Sequence, residues 1–207
     1  MFRRLMTVFY LAIIVSLAYF SFCSAQEAFS TLQYDMIIKS PGIQQVSKFF
    51  KKGDKTRVES GEGGKQTVMI FDGKNYYIYY PKQAKAIAMP TISMKQEDCG
   101  SLDKPKNYLE QNCKYSKDEV LDGKKCSLYE CPQGGNTKFW IDKDTKLQVK
   151  TISGKVTIDY KNQKINAPLN DSLFVLPVGV QVEDFSSQIK KMTGKEIDEN
   201  DYSWQSP

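Results

Sequence analysis

The chain has 207 residues, a length that suits one domain with a full core. Its formal net charge of +5 is small, which argues against nucleic acid as a partner. The sequence contains no histidine, and this excludes Ser-His-Asp and Cys-His nucleophile systems as well as histidine-zinc hydrolases.

The first residues have the pattern of a secretory signal peptide. Two arginines precede an uncharged apolar stretch over residues 5–22, which ends at Cys23-Ser24-Ala25. We therefore predict a signal peptide over 1–25, a single β domain over 26–207, and a location in the periplasm. A membrane anchor is the alternative, since the stretch is about long enough to span a bilayer. The aromatic residues just before Cys23 argue against a lipidated cysteine.

Beyond Thr31 the dominant signal is short runs rich in Tyr, Ile, Val, Thr and Phe, separated by Gly, Pro, Asn and Asp. In the first run Leu32, Tyr34, Met36 and Ile38 alternate with more polar neighbours, so one face of that strand should be buried. The expected strands cover about 31–39, 44–52, 55–60, 66–71, 75–80, 84–89, 115–121, 125–131, 137–142, 147–152 and 155–163. The runs at 68–71 and 76–80 are apolar or aromatic on both faces and should be covered on both sides.

A break in the strand pattern falls at Asp103 to Cys113, where Pro105 near the start predicts a short helix crossing the sheet. The tail carries a short apolar turn at 172–174, an apolar segment at 178–182 and a helical end at 185–191. The predicted fold class is mainly β with few helices: a half-open antiparallel β-barrel of about eleven strands with a helical plug. A closed small barrel is the alternative.

Four cysteines follow the signal peptide, Cys99, Cys113, Cys126 and Cys131, and an even count in an exported protein predicts two disulfides. If 125–131 is one strand, Cys126 and Cys131 lie about 16 Å apart, too far for a disulfide. They should not pair with each other, and each should bond to Cys99 or Cys113. The spacings do not suit a zinc site.

The catalytic chemistry left open is a carboxylate pair, Asp142 with Asp144 or two residues of the acidic tail 196–201. These residues lie in a turn or near the terminus, where acidic side chains are ordinarily solvated. We therefore expect no catalytic residue, no cofactor and no metal site, and a protein that is not an enzyme.

Apolar and aromatic residues are abundant, with 12 Tyr, 11 Phe and 7 Met in the whole chain. Ordinary core packing accounts for any single one of them. Together they favour a curved sheet that encloses an apolar cavity.

Two segments resemble the periplasmic lipoprotein-carrier superfamily of LolA and LolB: Val68–Pro90 and Ile158–Phe185. The shared features are an Asp-Gly-Lys turn before an aromatic strand that ends in Tyr80-Pro81, a strand end at Phe139–Asp142, and Leu173-Phe174 followed by Pro177–Val180. The similarity extends over most of residues 31–185.

The resemblance implies an unclosed barrel of eleven strands, covered by helices, whose apolar cavity receives lipoprotein acyl chains. Carriers of this superfamily take lipoproteins from an inner-membrane exporter to an outer-membrane acceptor. Their Lys-Arg-Pro segment falls by position on Lys51-Lys52-Gly53, where Lys52 keeps the charge.

Our hypothesis from the sequence is a monomeric periplasmic carrier that holds lipid acyl chains or lipoproteins without covalent chemistry and acts in outer-membrane lipoprotein sorting. Its partners would be inner- and outer-membrane envelope proteins. Lys52 and Arg57 are the expected polar contacts at the cavity mouth. The predicted lining residues are Met36, Phe50, Val58, Met69, Phe71, Tyr77, Tyr79, Met89 and Trp140. The alternative is a non-enzymatic envelope module of the same fold that binds a protein or senses lipid.

Overall fold

The computed structural model describes residues 29–62, 65–89, 109, 111–132, 136–185 and 187. This part of the chain forms twelve strands and two short 3-10 turns, at Pro81–Gln83 and Asp171–Phe174. The strands are β1 (Thr31–Ser40), β2 (Ile43–Lys52), β3 (Lys55–Glu62), β4 (Lys65–Phe71), β5 (Tyr76–Tyr80), β6 (Lys85–Met89), β7 (Lys114–Leu121), β8 (Lys124–Cys131), β9 (Thr137–Asp142), β10 (Gln148–Ser153), β11 (Val156–Ile165) and β12 (Gln181–Asp184).

The mainly β prediction is confirmed, and β1 to β11 occur close to where the runs of β-branched and aromatic residues placed them. Leu32, Tyr34, Met36 and Ile38 are all buried in β1, as their period of two requires. The β1–β2 hairpin turns at Pro41-Gly42, where Gly42 has a φ of +75°, a left-handed conformation that glycine adopts without strain.

The twelfth strand was not predicted. Strand β12 pairs in parallel with β6, in a register that sets Gln181 opposite Lys85 and Asp184 opposite Ala88. The N–H of Gln181 also donates to the carbonyl of Ala84 at 2.9 Å. Its polar sequence carries little strand signal, and its partner lies far away in the chain.

The described chain divides into two compact units, and β11 contributes residues to both. One unit holds β1–β6, the second half of β11 and β12, with strand order β12-β6-β5-β4-β3-β2-β1-β11. The other holds β7–β10 and the first half of β11, with order β11-β10-β9-β8-β7. Among the described residues, β12 ends the strand order in the first unit and β7 ends it in the other, and the two are not paired with each other.

In the first unit, residues 166–174, here called the strap, return to the start of the sheet. The N–H of Asn166 donates to the carbonyl of Thr31 at 2.9 Å, and the Thr31 hydroxyl donates to the carbonyl of Ala167 at 2.6 Å. The strap ends in a 3-10 turn capped by the Asn170 side chain, and it carries Phe174, which is 0% exposed. A fully buried aromatic anchors this segment by burial of apolar surface.

In the second unit, strand β8 is buried on both of its faces. Cys126 and Leu128 pack with Trp140 and Val149 on one side. Cys131 forms a second cluster with Cys113 and Phe139, against which Leu109 and Tyr129 pack.

Cys113 and Cys131 form a disulfide, so Cys131 does not pair with Cys126, as predicted. Cys126 is a free thiol that is 0% exposed, which contradicts the expectation that it joins a second bridge. The physical reason is strand geometry: an odd separation places Cys126 and Cys131 on opposite faces of β8, and the thiol of Cys126 lies in the Trp140 cluster. Cys99 lies outside the described residues.

The predicted helix at 103–113 and the predicted helical end at 185–191 lie mostly outside the described residues, as does the predicted signal peptide. Of the first, Leu109, Gln111 and Asn112 are helical, and the N–H of Cys113 donates to the carbonyl of Leu109 at 2.9 Å. In the described ranges, no helix combines the length and apolar character needed to cross a membrane.

Candidate functional site

The candidate site is one face of β1–β6. Pairing from β1 to β6 is antiparallel and free of register shifts, so directly opposed residues lie on the same face. One line of opposed residues crosses all six strands and is apolar apart from one tyrosine hydroxyl. Its members in order are Tyr34, Phe49, Val58, Met69, Ile78 and Ile87.

Burial along this line falls from β1 toward β6. Tyr34 and Phe49 are only 7% and 3% exposed, and their rings stack at 4.7 Å. The remaining members of the line are partly exposed; we call these four, Val58, Met69, Ile78 and Ile87, the apolar row. The row is therefore apolar surface that the chain does not fully cover, in contrast to the packed end at β1 and β2.

Two parallel lines flank the apolar row, two residues away along each strand. On one side Phe71 and Tyr76 stack at 4.3 Å, and Met89 lies opposite Tyr76. On the other side are hydroxyl-bearing residues: Ser60 lies opposite Thr67, and Tyr80 stands at the end of β5. The face thus changes from aromatic to apolar to hydroxyl-bearing along the strands.

The predicted lining residues divide between the two faces of this sheet. Met36, Val58, Met69, Phe71 and Met89 lie on the face of the apolar row, although Met36 is only 1% exposed and is part of the packed core.

Phe50, Tyr77 and Tyr79 lie on the opposite face, in register with Arg57, Ile70 and Val68 respectively. These three side chains cannot line the same surface as Met69, because neighbouring residues of a strand point to opposite sides.

Trp140 belongs to the core of the second unit. It is 7% exposed, packs with Cys126, Leu128 and Val149, and its indole N–H donates to Glu119. The ammonium of Lys150 lies 5.7 Å from its ring centroid. Its packing and polar contacts are those of a satisfied core residue.

The two cations that were predicted to lie at a cavity mouth donate hydrogen bonds to the strap. Lys52 Nζ donates to the carbonyl of Leu169 at 3.1 Å and to Asp171 Oδ2 at 2.9 Å. Arg57 Nη1 donates to the carbonyl of Leu173 at 2.9 Å, while its Nε donates to Glu59 at 2.7 Å. Lys52 also lowers the pKa of the Asp171 carboxyl through its hydrogen bond and charge. Both basic side chains therefore have intramolecular partners that sequence spacing could not reveal.

The sequence prediction missed Ile78 and Ile87, which complete the apolar row. The run Tyr76–Tyr80 is aromatic or apolar at every position, so its composition does not indicate which residues face which side. They could have been identified from the buried alternate residues of β1, by following the pairing register of each successive hairpin to the residues that lie on the same face.

The Asp142 carboxylate has a structural role at the β9–β10 turn. Its Oδ1 accepts hydrogen bonds from the N–H of Asp144 at 2.9 Å and of Thr145 at 3.2 Å, and Lys124 Nζ lies 3.3 Å from Oδ2. Burial alone would raise its pKa, but these hydrogen bonds outweigh burial and the pKa is lowered. A carboxyl held ionised in this way is poorly suited to act as a general acid. Within the described ranges no cluster of three acidic, cysteine or histidine side chains suits a metal ion.

No protein-family model matches the chain. It is 28% identical over 189 residues to an uncharacterised protein of Methanocaldococcus jannaschii, a match that covers 84% of this chain and 54% of that protein. The chain therefore spans about half the length of this curated relative.

Similar solved structures have little sequence in common with the chain. An uncharacterised conserved protein from Thermus thermophilus has a TM-score of 0.56 at 10% identity, covering 82% of this chain and 99% of its own. MucB has a TM-score of 0.50 at 10% identity, covering 80% of this chain and 64% of its own. A LolA superfamily protein from Nitrosomonas europaea has a TM-score of 0.35 at 10% identity, with coverages of 75% and 94%. At the level of the fold, the chain is similar to the Thermus thermophilus protein and to MucB.

Proposed function

We propose that this protein is a periplasmic carrier that binds acyl chains of lipids or lipoproteins on the apolar row, without catalysing a reaction. The observation that carries the proposal is the change from packed to partly exposed apolar side chains along one continuous line of residues. A core residue gains most when it is fully buried, so Val58, Met69, Ile78 and Ile87 gain further from a ligand that covers them.

The dimensions of the surface suit one acyl chain. From Val58 on β3 to Ile87 on β6 the row crosses three strand spacings, about 14 Å. One leaflet of a bilayer has a hydrocarbon thickness of about 15 Å, half of the whole core. The apolar face is therefore about as wide as an acyl chain is long, and a chain laid on it contacts the row.

The energetics suit a carrier that must release its cargo. Each methylene removed from water contributes about 0.8 kcal/mol. A single acyl chain gives only reversible binding to a bilayer, so an apolar face of similar affinity can exchange the chain with a membrane. Covalent chemistry and a cofactor are unnecessary for this task.

The finer parts of the proposal are the location and the pathway. The predicted signal peptide and the LolA-like fold both favour the periplasm. By the same resemblance we propose a role in outer-membrane lipoprotein sorting, with handover between envelope proteins of the two membranes.

The direct test is native mass spectrometry of protein produced from the full-length gene and recovered from the cell envelope. We expect a bound lipid or lipoprotein that is lost from Ile78→Asn. The matched control is Tyr79→Asn, which places the same residue one position along on the opposite face and should keep the bound lipid.

Two outcomes would contradict the carrier proposal. Protein recovered without lipid but with a stoichiometric protein partner would support the alternative, an envelope binding module. Lipid retained equally by both variants would show that the apolar row is not the binding surface.

A further inference from the structure

The hydroxyl-bearing line beside the apolar row carries information about the chemistry of the cargo. Its members on β2 and β3, Ser47 and Ser60, satisfy each other, with their Oγ atoms 2.7 Å apart. Thr67 follows opposite Ser60 on β4. Val68 on β4 is paired with Tyr79 on β5. Because the two strands are antiparallel, the neighbouring residues Thr67 and Tyr80 also lie opposite each other.

Thr67 and Tyr80 differ from the serine pair because their hydroxyls make no hydrogen bond within the described part of the chain. Both side chains are only partly exposed. Burial raises the pKa of the Tyr80 hydroxyl, as expected for a polar group partly withdrawn from water. Two hydroxyl donors on neighbouring strands thus border an apolar surface and have no hydrogen-bond partner among the described residues.

A purely hydrocarbon ligand would be a poor match for this border. Covering a hydroxyl without giving it a partner costs free energy, whereas a ligand with an acceptor at that point compensates both groups. The acceptor should be neutral, because an anion in a half-buried site needs a cation as partner. Lys85, the cation at the end of this line, is already 3.8 Å from Glu183.

The order of the side chains along β4 and β5 indicates the direction in which a ligand would lie. Along β4 and β5 the face changes from Thr67 and Tyr80, through Met69 and Ile78, to the stacked pair of Phe71 and Tyr76. The span from the hydroxyls to the stacked rings is four residues, about 13 Å. An acyl chain has its carbonyl at one end and about 15 Å of hydrocarbon beyond it.

We propose that Thr67 and Tyr80 donate hydrogen bonds to the ester carbonyl of an acyl chain that runs along β4 and β5 over Met69 and Ile78. This inference rests on the proposed function and adds the class of cargo: an ester-linked acyl chain, in preference to an ether-linked chain of the same length. The stacked Phe71–Tyr76 pair then receives the end of the chain.

The test compares two lysophosphatidylcholines that differ only in their linkage, a palmitoyl ester and a hexadecyl ether. Affinities are measured below micelle-forming concentrations by displacement of an apolar fluorescent dye from protein recovered from the envelope. We expect the ester to bind about four- to a hundredfold more tightly, the range that corresponds to two net hydrogen bonds. This comparison uses the unmodified protein, so it does not depend on any variant folding.

The variants Thr67→Val and Tyr80→Phe each remove one hydroxyl with little change of shape. Each should lower affinity for the ester by a few fold and leave affinity for the ether unchanged. Tyr79→Phe, which removes a tyrosine hydroxyl from the opposite face of the same strand, should change neither.

Equal binding of ester and ether, or equal losses for both lipids in the variants, would overturn the inference and leave the proposed function standing. Failure of both lipids to displace the dye would instead contradict the proposed function itself.

Discussion

The disulfide between Cys113 and Cys131 should make a large contribution to stability. The two cysteines are 18 residues apart in sequence, and the bond joins the start of β7 to the end of β8. In the chain-entropy treatment, a crosslink closing a loop of this size stabilises the folded state by about 3 kcal/mol at 25 °C, mainly by restricting the unfolded chain. Both cysteines are buried beside Phe139, so replacement by alanine should remove little packing beyond the bond.

The assay is equilibrium urea unfolding of the double variant Cys113→Ala with Cys131→Ala, with and without reductant. We expect the unmodified protein to lose about 3 kcal/mol when it is reduced, and the double variant to start at that lower stability and to be insensitive to reductant. Cys126→Ala is the matched control, since it changes a buried free thiol and should leave the response to reductant intact. The reasoning is refuted if reductant shifts the unfolding midpoint of the double variant as much as that of the unmodified protein.

Two further predictions concern the strap and the β9–β10 turn. Phe174→Ala should lower the free energy of unfolding by about 3–5 kcal/mol, because the ring is fully buried; a thermal melt close to that of the unmodified protein would show that the ring does not anchor the strap. Asp142→Asn should cost about 1 kcal/mol at neutral pH, since the amide still accepts the two turn hydrogen bonds but loses the attraction to Lys124. The carboxyl has a lowered pKa in the folded state, so its contribution is present above the unfolded value of 3.8 and is lost as pH falls through the folded pKa. Stability curves of variant and unmodified protein should therefore converge in that acidic range, and a difference that persists below it would contradict the assignment.

Most of the strands could be predicted from the sequence because each hairpin is local. The alternation of apolar and polar residues is visible within the run Leu32–Ile38 itself, and the turn at Pro41-Gly42 lies close behind it in sequence. Strand β12 could not be predicted in the same way, since its four residues, three of them polar, gain strand geometry only by pairing with distant β6.

The candidate site was predicted less completely for a related reason. The sequence indicates that β4 and β5 are apolar on both faces, but the face of each residue is fixed by register across several hairpins. Tyr77 and Tyr79 are therefore as plausible as Ile78 from composition alone. The roles of Lys52 and Arg57 depend on contacts with Asp171 and Leu173, more than a hundred residues away, which no local pattern encodes.

The central claim is that cargo contacts one face of the sheet. Because neighbouring residues of β5 lie on opposite faces, mapping which of them contact the cargo tests this claim directly. A fatty acid carrying a photoreactive diazirine would be bound to protein recovered from the envelope, crosslinked by light and mapped to single residues by mass spectrometry. We predict labels on Met69, Ile78 and Ile87, which share the face of the apolar row. Labels concentrated on Tyr77 and Tyr79, or absent from β4 to β6, would contradict the account.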